Sequence, residues 1–523
     1  MGVQNNLLYD FYRDEFWLRR FSSIDDAINE NFKLFRSVLT TFDQLTRSQF
    51  EQLILDVKQE TPQTFHYYFD DLFSDFQASL PVSAALSYES SLDVDFEAKQ
   101  LFNLYTLCLS LNSFALGRLL AIVKNVLATS RESGKLPPTY AIRECFRQVT
   151  TDVEFIQRAL VQRRRETDAG GSYMMSAPAK ALLVADKLAF LALAPFRHLV
   201  PSALPLNPIT FFSQSTYIRR VPYNESVLLI GISYDVMPPE LNRRFSSIEE
   251  LRSPHPPFPA FEFMVIPHEV GHYIYHHARL EGGGTFAVLS RQFQTNPYFM
   301  WCEETFADIY GCIVAGPLTP LGLQSLLASS DDDRVCANDG AHPPAILRPF
   351  ILSEILRVLH HLAPNHYPFS DVAHQLSDNW GRILVVDGHQ VMGGGTENGR
   401  FIIQPKDSNA INVTEVLETM KPIIEAFASQ LLQQATFILP WSSTPYGNLN
   451  EYDTDMAQLT NRDFACKPIP NHTLIALEQG YDDNLLSMLT RWGDSGPTGG
   501  GGGTYQTQAE NGLNDPKAKA KNK

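Results

Sequence analysis

The chain has 523 residues, of which 44% are hydrophobic and 11% aromatic, enough for sizeable cores in two to four domains. A formal net charge of −16 argues against general binding to nucleic acid or to an anionic membrane surface. Six cysteines without C-x-x-C spacing are expected as free thiols in a reducing compartment.

Residues 1–20 lack the basic start and apolar centre of a signal peptide. The most apolar window, 179–200, is broken by Asp186, Lys187 and Pro195, so no membrane span is expected and the chain reads as soluble and cytoplasmic. From residue 5 to 165 the pattern is helical. Ser22 and Ser23 before Asp25 and Asp26 predict a helix start, followed by apolar residues at Ile24, Ile28, Phe35, Val38 and Leu39 with the 3.6-residue period. A long helix is expected over 96–130 and another over 140–165, giving an N-terminal helical bundle over 1–165. The run Arg163, Arg164, Arg165 reads as a helix C-terminus that complements the macrodipole. An aperiodic Gly/Ser-containing stretch, 166–178, suggests a domain boundary. It is followed by an apolar helix over 179–193 and a β-rich run over 226–232. Proline-rich 253–259 is not expected to be helical.

At 268–272 stands His-Glu-Val-Gly-His, the pattern H-E-x-x-H. Residues four apart on a helix project from one face, so His268 and His272 can hold one Zn²⁺ with Glu269 beside it as general base. Pro267 either kinks a helix that begins near Phe261 or is its first residue, and the helix is expected to stop at Gly282, Gly283 and Gly284. Zinc needs a third protein ligand. Downstream, Glu304-Thr305-Phe306-Ala307-Asp308 reads E-x-x-A-D inside an apolar-periodic helix that stops at Gly316 and Pro317. Glu304 is the candidate third ligand, and Asp308 the acceptor for the second ring nitrogen of a ligating histidine.

With these two motifs the chain resembles the gluzincin zinc metallopeptidases, over about residues 220–363. The metzincin pattern fails, because Tyr275 and Ala278 occupy the positions of its glycine and third histidine. The resemblance implies a small sheet beside the motif helix and a following His-Pro segment with an arginine. That segment is matched by His342, Pro343, Pro344 and Arg348. It implies that His342 stabilises the oxyanion and that Arg348 is a buried structural or site-facing cation, with Asp339 as orienter of His342. His276, one turn past His272, is read as a partly exposed rim residue, with contact to the site cleft or substrate as the alternative, and the other histidines (His360, His361, His366, His374 and His389) as structural or surface.

Beyond residue 371, strands are expected over 382–389 and 400–404 around Gly393–Gly395, then a helical stretch over 414–437 in which Pro422 either kinks the helix or opens a second one, another over 473–489, and a disordered glycine-rich, basic tail. The expected fold is mainly α with a small β component: an N-terminal helical domain (1–165), a zincin-like α+β core (166–380), an α+β extension (381–493) and the tail (494–523). The expected function is hydrolysis of peptide bonds in a peptide or protein substrate. One zinc per chain would be held by His268, His272 and Glu304, and the N-terminal bundle is left to meet a protein partner. The alternative is a non-catalytic, regulatory helical interaction protein that retains a zinc-binding zincin core. Intact Glu269 weighs against that alternative, because structural zinc needs no general base.

Overall fold

The computed structural model describes residues 15–60, 91–133, 139–200, 207–233, 265–328, 336–392 and 401–435, less a few positions within these ranges. The expectations for 253–259, 393–395, 473–489 and the tail, and the role of Asp339, lie outside the described residues. Helices take up 71% of what is described and the sheets are small, so the fold is mainly α with a small β component. The chain falls into two compact units. The first is Met1–Leu183, Leu204–Phe212 and Arg220–Leu229; the second is Val184–Ala203, Ser213–Arg219 and Ile230–Lys523.

The first unit is built on helices α1 (Phe16–Leu39), α2 (Gln44–Glu60), α3 (Ser91–Ser113), α4 (Leu120–Ser133) and α5 (Thr139–Gln162), with a π-helical turn, Phe114–Leu119, joining α3 to α4. The helix start expected at Ser22 and Ser23 is corrected. Both serines lie inside α1, and the Ser23 hydroxyl donates to the Arg19 carbonyl one turn back, a bond available to a serine in a helix interior. Trp17, Phe21, Ile24, Ile28, Phe35, Val38 and Leu39 form its buried stripe. Phe35, Phe50 and Tyr105, with ring centroids 5.2–6.1 Å apart, lock α1, α2 and α3 together. The arginine run has divided duties. Arg163 donates to the Ala159 carbonyl at the end of α5, whereas Arg165 is a buried ion-pair partner of Glu97 at 2.8 Å and Asp43 at 3.3 Å.

Within 97–129 there is an 18-residue window of mean hydropathy 1.6, long and apolar enough to cross a membrane by length and composition; the sequence expectation had placed the most apolar window elsewhere. Leu101, Leu104, Leu107, Cys108 and Leu111 of this stretch are buried in the unit's core.

Strands β1 (Glu166–Thr167) and β2 (Tyr173–Met174) form a short antiparallel pair in the stretch read as a boundary. Helix α6 (Ala177–Leu193) follows. Strands β3 (Asn207–Ser213), β4 (Tyr217–Arg220) and β5 (Val227–Ser233) make a sheet of order β3-β5-β4. Every residue of β5 is buried, which is why its sequence is an unbroken apolar run rather than an alternating one.

The second unit contains α7 (Val265–His277), α8 (Cys302–Ala315), α9 (Leu318–Ala328), α10 (Arg348–Leu362), α11 (Ser370–Val386) and α12 (Val413–Gln434). Helix α7 ends five residues before the glycines expected to stop it. Gly282 and Gly283 instead shape the turn that follows, at φ of 97° and 90°. Pro267 lies within α7, and residues 261–264, which the kink reading needs, lie outside the described residues. The strand expected over 382–389 is also corrected, since 382–386 close α11. Val372, Ala373, Leu376, Trp380 and Leu384 recur at helical spacing on its buried face, and that longer period prevails over four β-favouring residues. The hairpin lies further on, where β6 (Gln390–Met392) pairs antiparallel with β7 (Ile402–Gln404), and β7 with β8 (Ile411–Asn412). Helix α12 runs through Pro422 without dividing. Residues after 380 pack within the same unit as the motif helices, α12 lying against both α8 and α10.

Candidate metal centre

The site rests on the close approach of α7 and α8. A Cβ added at Gly271 would fall 2.8 Å from the Cα of Ala307 and 2.9 Å from the Cβ of Tyr310. Those atoms belong to backbone or to the root of a side chain and cannot swing away, so glycine facing alanine is what lets the helices touch. Phe306 anchors the outer side of this contact, with the rings of Phe286, Tyr275 and Phe427 at 4.6, 5.2 and 5.3 Å. Such an apolar surround lowers the local dielectric and strengthens the polar contacts made inside it.

His268 and His272, one turn apart on α7, bring their Nε2 atoms to 3.1 Å. Glu304 of α8 places Oε1 3.3 Å from His272 Nε2 and Oε2 3.6 Å from His268 Nε2. All three residues are buried. Donors bound to zinc at about 2.0–2.1 Å in a tetrahedral shell stand about 3.3 Å apart, so this triangle has the size the ion requires. The protonation pattern agrees. His268 Nδ1 lies 2.9 Å from Asp308 Oδ1, and His272 Nδ1 lies 3.3 Å from Glu303 Oε1. An ionised carboxylate only accepts, so each Nδ1 carries a proton, and the two Nε2 atoms that face each other and Glu304 offer lone pairs to a metal when the rings are neutral. Three such donor atoms grouped in a buried place could hold a metal ion. Among the described residues no other set of three His, Cys, Asp or Glu side chains is grouped in this way. By donor type, number and spacing the residues fit zinc.

Arg348 opens α10 and forks onto Asp308, with Nε donating to Oδ2 at 3.1 Å and Nη2 to Oδ1 at 2.8 Å. The same Nη2 lies 3.2 Å from Glu304 Oε2, an ion pair without hydrogen-bond alignment, and 3.2 Å from His268 Nε2. Arg348, which the sequence left as structural or site-facing, thus contacts both Asp308 and Glu304. Pro349 stands in the first turn of α10, where a proline is tolerated. His342 approaches from the segment before α10, with Nε2 3.3 Å from Glu304 Oε1 and a fifth of its side chain exposed. It is not one of the three clustered donors, so no described residue closes a fourth ligand position.

Electrostatics separate the carboxylates into two kinds. Burial pushes Glu304 and Asp308 up, yet His272 and Arg348 around Glu304, and Arg348 and His268 around Asp308, hold both below their ordinary range. Glu269 differs. Burial raises it, and the nearby imidazoles do not reverse that. Its Oε1 is buried without a hydrogen-bond partner among the described residues, an acceptor held ready at the edge of the cluster.

Two participants were missed from the sequence. Glu303 received no role and His276 was read as a rim residue. Glu303 Oε1 in fact faces both His272 Nδ1 and, at 2.8 Å, His276 Nε2. The available signal was spacing: His276 repeats the four-residue interval of His268 and His272, and a second acid adjoins Glu304. No protein-family model matches the chain, and no curated protein and no solved structure matches it either.

Proposed function

We propose that the chain is a zinc-dependent peptidase of the gluzincin kind, acting on peptide or protein substrates. The observation that carries this reading is the buried triangle of His268, His272 and Glu304 with the unpartnered Glu269 oxygen beside it. In this reading those three residues hold the metal, and Asp308 and Glu303 keep the two imidazoles in the ligating tautomer. Zinc at such a site polarises a carbonyl and lowers the pKa of water toward about 7. Glu269 Oε1 accepts the proton as water oxygen bonds to the peptide carbon, then returns it to the leaving nitrogen as the C–N bond breaks. A raised carboxylate pKa suits that exchange, since the group must both take and release a proton near neutral pH. In this reading His342, partly exposed with Nε2 3.3 Å from Glu304 Oε1, turns to donate to the developing oxyanion. The rival reading, a structural zinc in an interaction protein, prefers a closed shell of four protein ligands.

The test is metal content and cleavage of a mixed peptide library by wild type, Glu269→Gln and Glu304→Ala. Wild type should carry close to one zinc per chain and cleave. Glu269→Gln should keep zinc while turnover falls about 10²–10⁴-fold, and Glu304→Ala should lose the metal. A Glu269→Gln protein that still cleaves at the wild-type rate would end the proposal.

A further inference from the structure

The third histidine of α7 belongs to the site without touching the donor triangle. His276 lies one turn beyond His272 on the same helix, and its Nε2 is 2.8 Å from Glu303 Oε1, the same oxygen that lies 3.3 Å from His272 Nδ1. One carboxylate oxygen therefore accepts from two imidazoles of neighbouring turns. The 2.8 Å separation is that of a charge-assisted hydrogen bond with a proton between the atoms. Two ligands of one ion would stand further apart, so this pair is not a second metal site.

Glu303 begins α8 and is more than a third exposed, and a glutamate so placed samples several rotamers in water. His276 removes that freedom. Its own ring is held in turn by Tyr275, edge-on at 5.0 Å, and Tyr275 is buried against Phe306 and Phe427. The contrast with the other ligand is informative. His268 leans on Asp308, which is fully buried and forked by Arg348, so that carboxylate needs no further support.

We propose that His276 is a positioning residue for the metal centre: it pins Glu303 so that Glu303 fixes the orientation and tautomer of His272. This rests on the zinc reading above. It predicts that His276 acts on metal affinity only through Glu303. Loss of a carboxylate behind a ligating histidine typically costs 10–100-fold in metal affinity, and loss of the residue that steadies the carboxylate should cost less.

The experiment is competition of the full-length protein against a chromophoric chelator for Zn²⁺, with thermal unfolding of the metal-free forms as control. His276→Leu should weaken zinc binding several-fold, and Glu303→Ala about 10–100-fold. The double variant should be no weaker than Glu303→Ala alone, and His276→Gln, whose amide N–H can still donate to Glu303, should recover most of the loss. If His276→Leu binds zinc like wild type, or if the two losses multiply in the double variant, the assignment is wrong. A wild type that takes up no zinc would overturn the parent reading, and this one with it. A variant that loses zinc together with metal-free thermal stability would mark His276 as a packing residue, and that also overturns the assignment.

Discussion

His272 sets how the cluster responds to pH. Burial works against charge on this imidazole, yet Glu304, Glu303 and Glu269 around it hold it protonated well above the usual histidine range. In the zinc reading, protonation of this ring competes with the metal. A group whose folded pKa exceeds its unfolded value stabilises fully below about pH 6.5 and loses that contribution as pH rises through the folded value. Glu304 has the opposite sign: its contribution is present above about pH 4.3 and fades as pH falls through its depressed folded value. Metal-free protein should therefore be most stable between those limits, with a melting temperature lower at an alkaline pH than at about pH 6.5. Zinc-loaded protein should rise over the same window, because ligation requires the deprotonated ring. Thermal melts with and without zinc at the two pH values decide this, and a metal-free melting temperature that climbs with pH would contradict the assignment. Asp308→Asn tests the other histidine. It keeps an acceptor for the His268 ring but removes the charge, so zinc affinity by chelator competition should fall by about tenfold.

Among the helices, the contact of α7 with α8 decides whether a site exists at all. Gly271→Ala would place a methyl against the Ala307 backbone and force the helices apart. Overpacking of this kind costs about 1–3 kcal/mol. The outward shift should also spread the donor triangle, so denaturant melts should show lower stability and competition assays weaker zinc binding. Gly282→Ala is the control, since its position is open although its φ is positive; it should lose some stability and retain the metal. At this scale the sequence was legible where periodicity was long. The apolar period of α8 and its end at Gly316 followed from spacing. It misled where short local preference opposed a longer pattern. Ser22 and Ser23 carry a capping signature inside α1, and the residues 382–386 carry a strand-like composition inside α11, and in both the buried face of the whole helix prevailed.

For the whole chain, the metal should couple local geometry to the stability of the unit that holds it. The donors come from α7 and α8, and Arg348 of α10 neutralises what lies between them. Ligand bound only to the folded state adds about 2.7 kcal/mol at a hundredfold excess over its Kd. Chelation should lower the melting temperature reversibly, with zinc restoring it in a concentration-dependent way; calorimetry showing no response to zinc would count against a folded-state site.

Sequence alone determined what depends on neighbours along one helix. The 3.6-residue repeat put His268 and His272 on one face with Glu269 beside them, and put Glu304 and Asp308 on one face of α8. Tertiary structure decided the pairings between helices: that Glu304 faces the histidines while adjacent Glu303 turns to His276, that Asp308 serves His268, and that Arg348 reaches both acids. Those outcomes depend on how far apart the helices lie and how each is rotated about its axis. Side chains packing at a glycine and an alanine thirty-six positions apart set both, and no local spacing records it.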